Sequence, residues 1–317
     1  MPGVKHNYQS GTANSGAAEI SSTRWNEAHA IADTLEFPNT PSPATPAAST
    51  LALFGLKTAE RMVPAFLGPA GAKWPVQVSL GSAIAAWFSP PGNVAGVGNV
   101  VGFTSPTATG TLTARNVATT NFFTRRHRAG YVSAATAAAL TGLRFPAASY
   151  QTGDGAAGSG FFLAFEFGAS DAATVAGARM FAGMSASVAA PTNVEPSTLV
   201  NVIGVGHGAA DTNLKLFFGG TTAQTPIDLG VNFPVNTLSV DWYRVVLYAP
   251  SSLTGTVYYE VTRMNTGHVA TGTLSGAAAV LPAAAVLLNA MNSYRTNNAT
   301  ALAVGLDHGI IYAEQGT

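Results

Sequence analysis

Short stretches in which apolar and polar residues alternate fill the chain from Thr111 onward. Residues 161–167 are rich in aromatic side chains, and residues 242–248 and 256–262 alternate on either side of a turn at 251–255. Alternation with a period of two is typical of a strand with one buried face. Strands that recur between turns rich in Gly, Pro, Asn and Asp predict an antiparallel β-sandwich over residues 111–317. Further strands are predicted at residues 200–205, 214–218, 301–306 and 309–313.

The rest of the chain divides into three shorter segments. Residues 1–36 combine a small-residue leader with a helical pattern, and residues 37–50 form a proline-rich linker that should be extended. Residues 51–110 predict a small β module and a connector, with a hairpin around 57–61 and a domain boundary between 92 and 110. The predicted fold class is mainly β, with an N-terminal extended or helical anchor and a jelly-roll or lectin-like sandwich. Two alanine-rich stretches favour helix instead, at residues 133–140 and 276–288.

A short helix is predicted close to the N-terminus. Ser22 or Thr23 can cap its first turn. At helical spacing Trp25 and His29 share one face, and Asn26 follows Trp25 directly. From the pattern alone this segment is a small amphipathic anchor helix.

The residues of this leader resemble a known group of viral proteins. Residues 4–8 read Val-Lys-His-Asn-Tyr, and residues 22–29 read Ser-Thr-Arg-Trp-Asn-Glu-Ala-His. A leader of this form followed by S-x-x-W-N-x-x-H resembles the N-terminus of tailed-bacteriophage virion appendage proteins, which are fibres, spikes and minor structural proteins. Residues 52–57 and 62–69 resemble the module that follows the leader in phage fibres. The chain also resembles the receptor-side domain of such fibres, at residues 87–93, 111–120 and 175–241.

The resemblance implies a structural fibre or spike of a virion that assembles in the host cytoplasm. Residues 1–36, with Trp25, Asn26 and His29, would dock into the portal, tail, collar or capsid proteins. The protein would be a homo-trimer whose sandwich faces a host-surface glycan. A tail or collar fibre and a capsid head fibre or decoration protein both remain open. The alternative from another class is a glycan-cleaving tailspike enzyme, and a cellular lectin-like module would leave the leader unexplained.

Charged residues are scarce and balanced in this chain. They make up 9% of it, with 15 basic and 15 acidic side chains, against about 25% in ordinary domains. A monomer of this size exposes roughly 12,000 Å², or about one charge per 400 Å². Either Ser, Thr, Asn and Gly supply the polar surface, or much of the surface is buried between subunits, and both are expected of a trimeric fibre. The zero net charge disfavours nucleic acid and anionic membranes as partners. The sequence has no cysteine, no apolar run of about 18 residues and no secretory-signal pattern, so we expect no disulfide, membrane insertion or signal peptide.

Candidate chemistry is sparse. The six histidines are scattered singly, so neither a metal site nor a cofactor is predicted. The glycine-rich residues 204–208 lack the spacing of a dinucleotide loop and are interpreted as a strand that runs into a tight turn. With no G-x-S-x-G motif, no catalytic residue is assigned and the protein is predicted not to be an enzyme. The carboxylates of the sandwich are interpreted as turn caps: Asp154, Glu166, Asp171, Glu195, Asp211, Asp228, Asp241 and Glu260.

Three loops are the predicted receptor surface, at residues 150–160, 206–213 and 289–298. They are rich in Gly, Asn, Thr and Tyr, which suit hydrogen bonding and stacking to a glycan. The dense charge cluster of residues 125–128 is expected to be a solvated surface loop. Its alternatives are pairing with carboxylates between subunits or contact with an anionic glycan. The candidate binding residues in the loops are Tyr150, Asp154, His207, Asp211, Asn213, Tyr294 and Asn297.

Overall fold

The structure, a computed structural model, describes residues 39, 43–71, 73–76, 83–90, 95–235 and 238–316. The chain divides into two units, Met1–Pro38 and Asn39–Thr317. The predicted docking helix with Trp25, Asn26 and His29 lies outside the described residues. In the linker, residues 43–47 are irregular, and the Thr50 N–H closes a turn on the Ala47 carbonyl at 3.1 Å.

A hairpin begins the described fold, as predicted. Strand β1 (Ala52–Thr58) pairs antiparallel with β2 (Arg61–Leu67), and β3 (Lys73–Pro75) adds a third strand. Thr58 pairs with Arg61, so Ala59 and Glu60 form a two-residue turn with φ values of 46° and 64°. Positive φ at both central residues matches the right-handed twist of a hairpin. The turn therefore has the geometry that a tight hairpin requires, although neither residue is glycine.

The sandwich consists of two antiparallel sheets. One sheet has nine strands in the described residues; its main path runs β17-β16-β15-β10-β19-β4-β5, with β8 on β19 and β7 on β8. Its strands are β4 (Ala83–Phe88), β5 (Asn99–Val101), β7 (Thr111–Thr113), β8 (Ala129–Val132), β10 (Phe161–Ala169), β15 (Tyr243–Ala249), β16 (Thr256–Arg263), β17 (His268–Ser275) and β19 (Gly305–Gln315).

The second sheet has seven strands in the described residues, in the order β14-β13-β12-β11-β18-β9-β6. Outside the sheets lie one α-helical turn, α1 (Phe122–Arg125), and a 3-10 turn at Pro196–Thr198. The strands of the second sheet are β6 (Thr107–Thr109), β9 (Leu140–Arg144), β11 (Arg179–Ser185), β12 (Val202–His207), β13 (Lys215–Gly219), β14 (Ile227–Asp228) and β18 (Asn289–Thr296).

The main hydrophobic core lies between the two sheets. Alternate residues of β10 (Phe161, Leu163, Phe165 and Phe167) face it, as the aromatic pattern of this strand predicted. The second sheet contributes side chains such as Met180 and Ile203 to the same core. The mainly β, antiparallel sandwich predicted from the sequence is therefore confirmed.

The predicted domain boundary was placed too late in the chain. Residues 83–88 pair with β19, with Trp87 opposite Ile311, and residues 107–109 pair with β9. Trp87 is fully buried in the main core. The sandwich therefore begins at β4, because these short strands are paired members of the two sheets of the sandwich.

Both predicted helices in the sandwich are wrong. Residues 133–140 and 276–288 form turns and irregular segments. In the second stretch the carbonyls of Ala278 and Ala279 accept hydrogen bonds from the N–H groups of residues 220–222 instead of from residues of the same stretch. Pro282 also lacks the N–H that a continuing helix would use. Tertiary hydrogen bonds override the alanine propensity at this position.

The predicted receptor loop at residues 289–298 is mostly a strand. Residues 289–296 form β18, which lies between β11 and β9, and every one of its residues is buried. Ser293 faces the core, where its hydroxyl donates to the Leu143 carbonyl and accepts from the Leu143 N–H, both at 2.9 Å. Neighbouring strands thus satisfy the polar side chains that made this stretch look like a loop.

Candidate ligand-binding cleft

The residues predicted for the receptor loops do not form one site. No two of the seven hydrogen-bond to each other in the described structure. Asp154 is exposed and caps its own turn through the Ala156 N–H at 2.9 Å, and Asn213 donates to Asp228 at 3.2 Å. Asp211 accepts from the Gly208 N–H at 2.7 Å and pairs with Lys215 at 2.6 Å. The three remain candidates only as separate surface groups.

The other four predicted residues are buried, and of these Tyr294 also lines a surface depression. Tyr150 packs against the core, and the Tyr294 hydroxyl donates to the Val194 carbonyl at 2.9 Å. The Asn297 amide donates to the carbonyls of Thr136 and Leu302. His207 lies beside Arg295 in the interior.

His207 and Arg295 belong to a polar cluster between the sheets. The Arg295 guanidinium donates from Nε to Asp171 Oδ1 at 2.8 Å, and Nη1 lies 2.8 Å from His207 Nε2. His207 Nδ1 lies 3.1 Å from the Gly208 carbonyl and must donate to it, so Nε2 is the acceptor for Arg295. Burial and the Arg295 charge lower the pKa of His207 to about 3. The cluster is a structural feature of the interior.

The turn-cap interpretation of the carboxylates holds for Asp154, Asp211 and Asp228. It is wrong for Glu166, Asp171 and Asp241, which are buried and form ion pairs with arginines. Glu195 pairs with Arg179 at 2.8 Å. Glu260 accepts from the Ala59 N–H of the hairpin at 3.4 Å, and burial raises its pKa. A carboxylate surrounded by guanidinium donors is poorly suited to proton transfer.

The charge cluster of residues 125–128 is only partly a solvated loop. Arg125 and His127 are exposed, as expected. Arg128 is buried and donates from Nε to Asp307 at 3.0 Å, and Arg126 pairs with Glu166. Both carboxylates belong to the same chain, because β10 and β19 bring them beneath the loop. The ion pairs of Arg126 and Arg128 hold the loop on the sheet, while Arg125 and His127 point to solvent.

The helical turn α1 holds this loop in position. Asn121 caps it: Oδ1 accepts from the Thr124 N–H at 2.9 Å, and the Thr124 hydroxyl accepts from the Asn121 N–H at 3.1 Å. The Phe123 ring is buried edge-on against Trp242, with centroids 5.2 Å apart. The position of Arg125 and Arg126 is therefore set by packing and capping.

A cleft of about 340 Å³ opens beside the loop. Phe88 lies at the end of β4 and is 44% exposed. It points away from the core because Trp87, the preceding residue, points into it. The cleft combines an apolar wall with cationic groups from a separate segment. Its lining residues are Phe88, Ser89, Arg125, Arg126, His127 and Ile310.

Glu166 anchors the cationic side of the cleft from below. Its Oε2 accepts from Arg126 and from Trp242 Nε1 at 2.9 Å, and its Oε1 accepts from Arg244 Nε at 3.1 Å and Nη2 at 2.7 Å. Burial opposes ionisation of Glu166, but Arg244 and Arg126 together hold its pKa below the ordinary value. The carboxylate stays charged and fully engaged, while two guanidiniums share its single charge.

A second, smaller depression of about 110 Å³ lies on the outer face of the seven-stranded sheet. Phe181 and Tyr294 form its floor, and residues 187–194 form its rim. A side chain at Gly204 would collide with the Phe181 ring, so glycine lets this ring lie against the sheet. The depression carries no charged lining group.

The described residues also bear on metal and membrane chemistry. Across those ranges His, Asp and Glu do not gather in groups of three or more that could hold a metal ion. No helix in the described part of the chain is long and apolar enough to span a bilayer.

The sequence indicated only part of this cleft. Residues 125–128 were expected to be a solvated loop, with contact to an anionic glycan as one alternative, and Phe88, Ile310 and the underlying Glu166 come from three other strands. The available signal was the alternation in β4, where Trp87 and Phe88 are adjacent aromatic residues that must face opposite sides of a strand. Only the pairing of β4 with β19 shows which side each one takes.

No protein-family model and no curated protein sequence matches the chain. Among solved structures, the chain is similar to a protein of unknown function from Shewanella oneidensis, with 12% identity and a TM-score of 0.45, over 76% of this chain and 89% of that one. It is similar to peanut lectin with 12% identity and a TM-score of 0.45, over 74% and 97%. Lectin II from Ulex europaeus shows 14% identity and a TM-score of 0.42, over 67% and 98%.

Proposed function

We propose that this chain is a structural fibre or spike protein of a tailed-phage virion, a tail or collar fibre that docks by residues 1–36. Its sandwich would present a binding surface to a host-surface glycan. A capsid head fibre or decoration protein would use the same parts in another place on the particle. The observation that supports this proposal is the division of the chain into Met1–Pro38, which carries the leader, and a separate unit, Asn39–Thr317, which carries the cleft.

Binding without cleavage fits the chemistry of the sandwich. Glycosidases use two carboxyl groups, one of which must give up a proton. The buried carboxylates Glu166, Asp171 and Asp241 each form an ion pair with arginine. Burial raises the pKa of Asp307, but this side chain is fully buried behind Arg115 and Arg128. A cleft lined by arginine, histidine and aromatic side chains is equipped to hold a ligand.

Removing residues 1–36 is expected to abolish incorporation into particles and to leave the outer domain soluble and folded. The main core and both sheets lie within the residues that remain. Particles assembled in the presence of the truncated and the full-length chain would be purified and probed with an antibody to residues 111–317. Normal incorporation of the truncated chain would contradict the docking role.

The homo-trimer is part of the same proposal. Leu53 and Met62 are exposed on one face of the hairpin, because Met62 pairs with Lys57 and Leu53 lies four residues before Lys57. Leu51, just before β1, is also exposed. Apolar side chains grouped on a small module are typical of a surface covered by a second copy.

Light scattering at micromolar concentration is expected to give about three times the chain mass of 32.2 kDa. The double variant Leu53→Lys and Met62→Lys should lower this mass, because it puts two like charges on the apolar face of each copy. The matched control is Val269→Lys, which adds a charge to an exposed residue of β17. A wild-type mass of 32 kDa would refute the trimer.

A further inference from the structure

We propose that the cleft lined by Phe88, Arg125, Arg126 and His127 binds the carboxylate of an acidic sugar, such as a uronic acid, within a host-surface polysaccharide. This inference rests on the proposed function and names the ligand class of the same site. It selects carboxylate-bearing glycans over neutral ones.

The first argument is the charge that the cleft leaves unused. The Arg125 guanidinium donates to the Thr119 carbonyl at 3.1 Å and forms no ion pair within the described ranges. Arg126 and Arg244 share the single charge of Glu166. Arg244 also lies near Glu260. The cationic surplus of the cleft therefore comes from Arg125 and from the part of the Arg126 charge that Glu166 leaves unbalanced. A second carboxylate, supplied by a ligand, would balance it.

The second argument is how firmly the cations are held. The side chain of Arg126 is 35% exposed while its Nη2 is fixed on the buried Glu166. Asn121 and the buried Phe123 fix the backbone from which Arg125 and Arg126 extend. Preorganised guanidiniums lose little side-chain entropy when they bind an anion, and their planar fork matches the two oxygens of a carboxylate.

The third argument is the apolar wall opposite the arginines. Phe88 is 44% exposed, although burying an aromatic side chain is favourable. Ile310 of β19 continues this wall, and the hydroxyl of Ser89 lies beside it. A sugar ring has one apolar face and a rim of hydroxyls, so it can pack on Phe88 while its carboxylate reaches the arginines. The volume of about 340 Å³ lies within the range of small-ligand sites, about 300–1,000 Å³.

The charge of the whole chain argues for one acidic sugar group at each cleft over nucleic acid. A nucleic-acid surface needs many phosphate contacts spread over a basic face. Elsewhere in the sandwich, carboxylates of the same chain neutralise the arginines by ion pairing, as at Arg115, Arg179, Arg263 and Arg295. One small cationic cleft per copy gives weak binding at each site, which several copies on one particle would strengthen.

The experiment compares a hexamer of galacturonic acid with its methyl ester, titrated into the full-length protein by calorimetry. We expect the acid to bind at least about tenfold more tightly than the ester, because esterification removes the charge that the arginines recognise. Arg125→Gln should weaken binding of the acid about tenfold, and Phe88→Ala should weaken binding of both ligands. Arg125→Lys should fall between Arg125→Gln and the wild type, since it keeps the charge but loses the fork.

The control is Lys57→Gln, which removes one exposed positive charge from the hairpin and should leave the affinity unchanged. Arg125 is exposed and bonded to one carbonyl, so its variants should keep the wild-type melting temperature. Equal affinity for the acid and the ester, or full affinity in Arg125→Gln, would overturn the assignment. Tighter binding of a sulfated hexamer than of the acid would overturn the choice of carboxylate.

Adsorption to host cells separates this inference from the proposed function. Particles that adsorb normally with Arg125→Gln would contradict the cleft and leave the fibre role intact. Particles that adsorb equally well with and without this protein would contradict the proposed function itself. Adsorption that depends on the protein, and is weakened by Arg125→Gln but not by Lys57→Gln, supports both.

Discussion

Replacement of Arg295 by methionine is expected to lower the free energy of unfolding by about 3–5 kcal/mol, the usual cost of breaking a buried ion pair from one side. Arg295 is fully buried, and its guanidinium donates to both oxygens of Asp171 and contacts His207. Methionine fills similar space but leaves the Asp171 carboxylate without its cation in the interior. Since whole-domain stabilities are about 5–15 kcal/mol, this loss should be large and should appear as a lower urea midpoint.

The matched control is Lys57→Met, which breaks the exposed pair between Lys57 and Glu60 at 2.7 Å. We expect a change within about 0.5 kcal/mol, because solvent screens such a pair. Adding Asp171→Asn to Arg295→Met should recover part of the stability, since it removes the stranded charge. A destabilisation below about 1 kcal/mol for Arg295→Met would show that the pair contributes little to folding.

Lowering the pH from 7 to 5 is expected to remove about 2 kcal/mol of the free energy of unfolding for each of two buried histidines. Protonation of Glu260 and Asp307, whose pKa values are raised by burial, offsets part of this loss. Burial lowers the pKa of His308 to about 3, and burial together with Arg295 lowers that of His207 to about 3. The unfolded chain therefore binds more protons than the folded chain between pH 6.5 and pH 3. Stability is fully present above pH 6.5 and is lost as the pH falls through this window.

Urea unfolding at several pH values between 5 and 7 checks this slope. His207→Gln should lose the contribution of one histidine, about 2 kcal/mol between pH 7 and pH 5, because glutamine can accept from Arg295 but does not titrate. His268→Gln is the matched control, since His268 is exposed on β17, and its slope should equal that of the wild type. The contribution of Glu166 falls outside this range, because a lowered carboxyl pKa reduces stability only below its ordinary value of 4.5. The same pH dependence in His207→Gln and the wild type would contradict a buried, neutral His207.

The strands that the sequence predicted well are those in which core-facing residues alternate with residues on the other face. In β10, β15 and β16 the residues of the other face are less buried or polar, so the alternation with a period of two is visible in the sequence. The hairpin of β1 and β2 is local, so its turn residues and short strands are sufficient to predict it. The strand β18 is buried on both faces and still contains Asn, Ser, Arg and Thr, so its composition indicated a loop.

The candidate cleft also combines a part that is visible in the local sequence with a part that depends on contacts between distant strands. Residues 125–128 are adjacent in sequence, so their charge was visible there, and contact with an anionic glycan was one alternative to a solvated loop. Which of these side chains are held beneath the loop depends on Glu166 and Asp307, which pair with Arg126 and Arg128 from two other strands. Phe88 joins the cleft only because β4 pairs with β19, more than 200 residues later in the chain.

The sequence by itself determined the fold class, the hairpin and most of the strands of the sandwich, because period-two burial and turn chemistry are local properties of the chain. The tertiary structure alone decided which polar residues are buried, where the sandwich begins and which residues share the cleft. Those features depend on pairs of groups far apart in sequence, such as Arg295 with Asp171 or Arg126 with Glu166. A buried charge is tolerated only where its partner is in place, and pairing between distant strands puts it there.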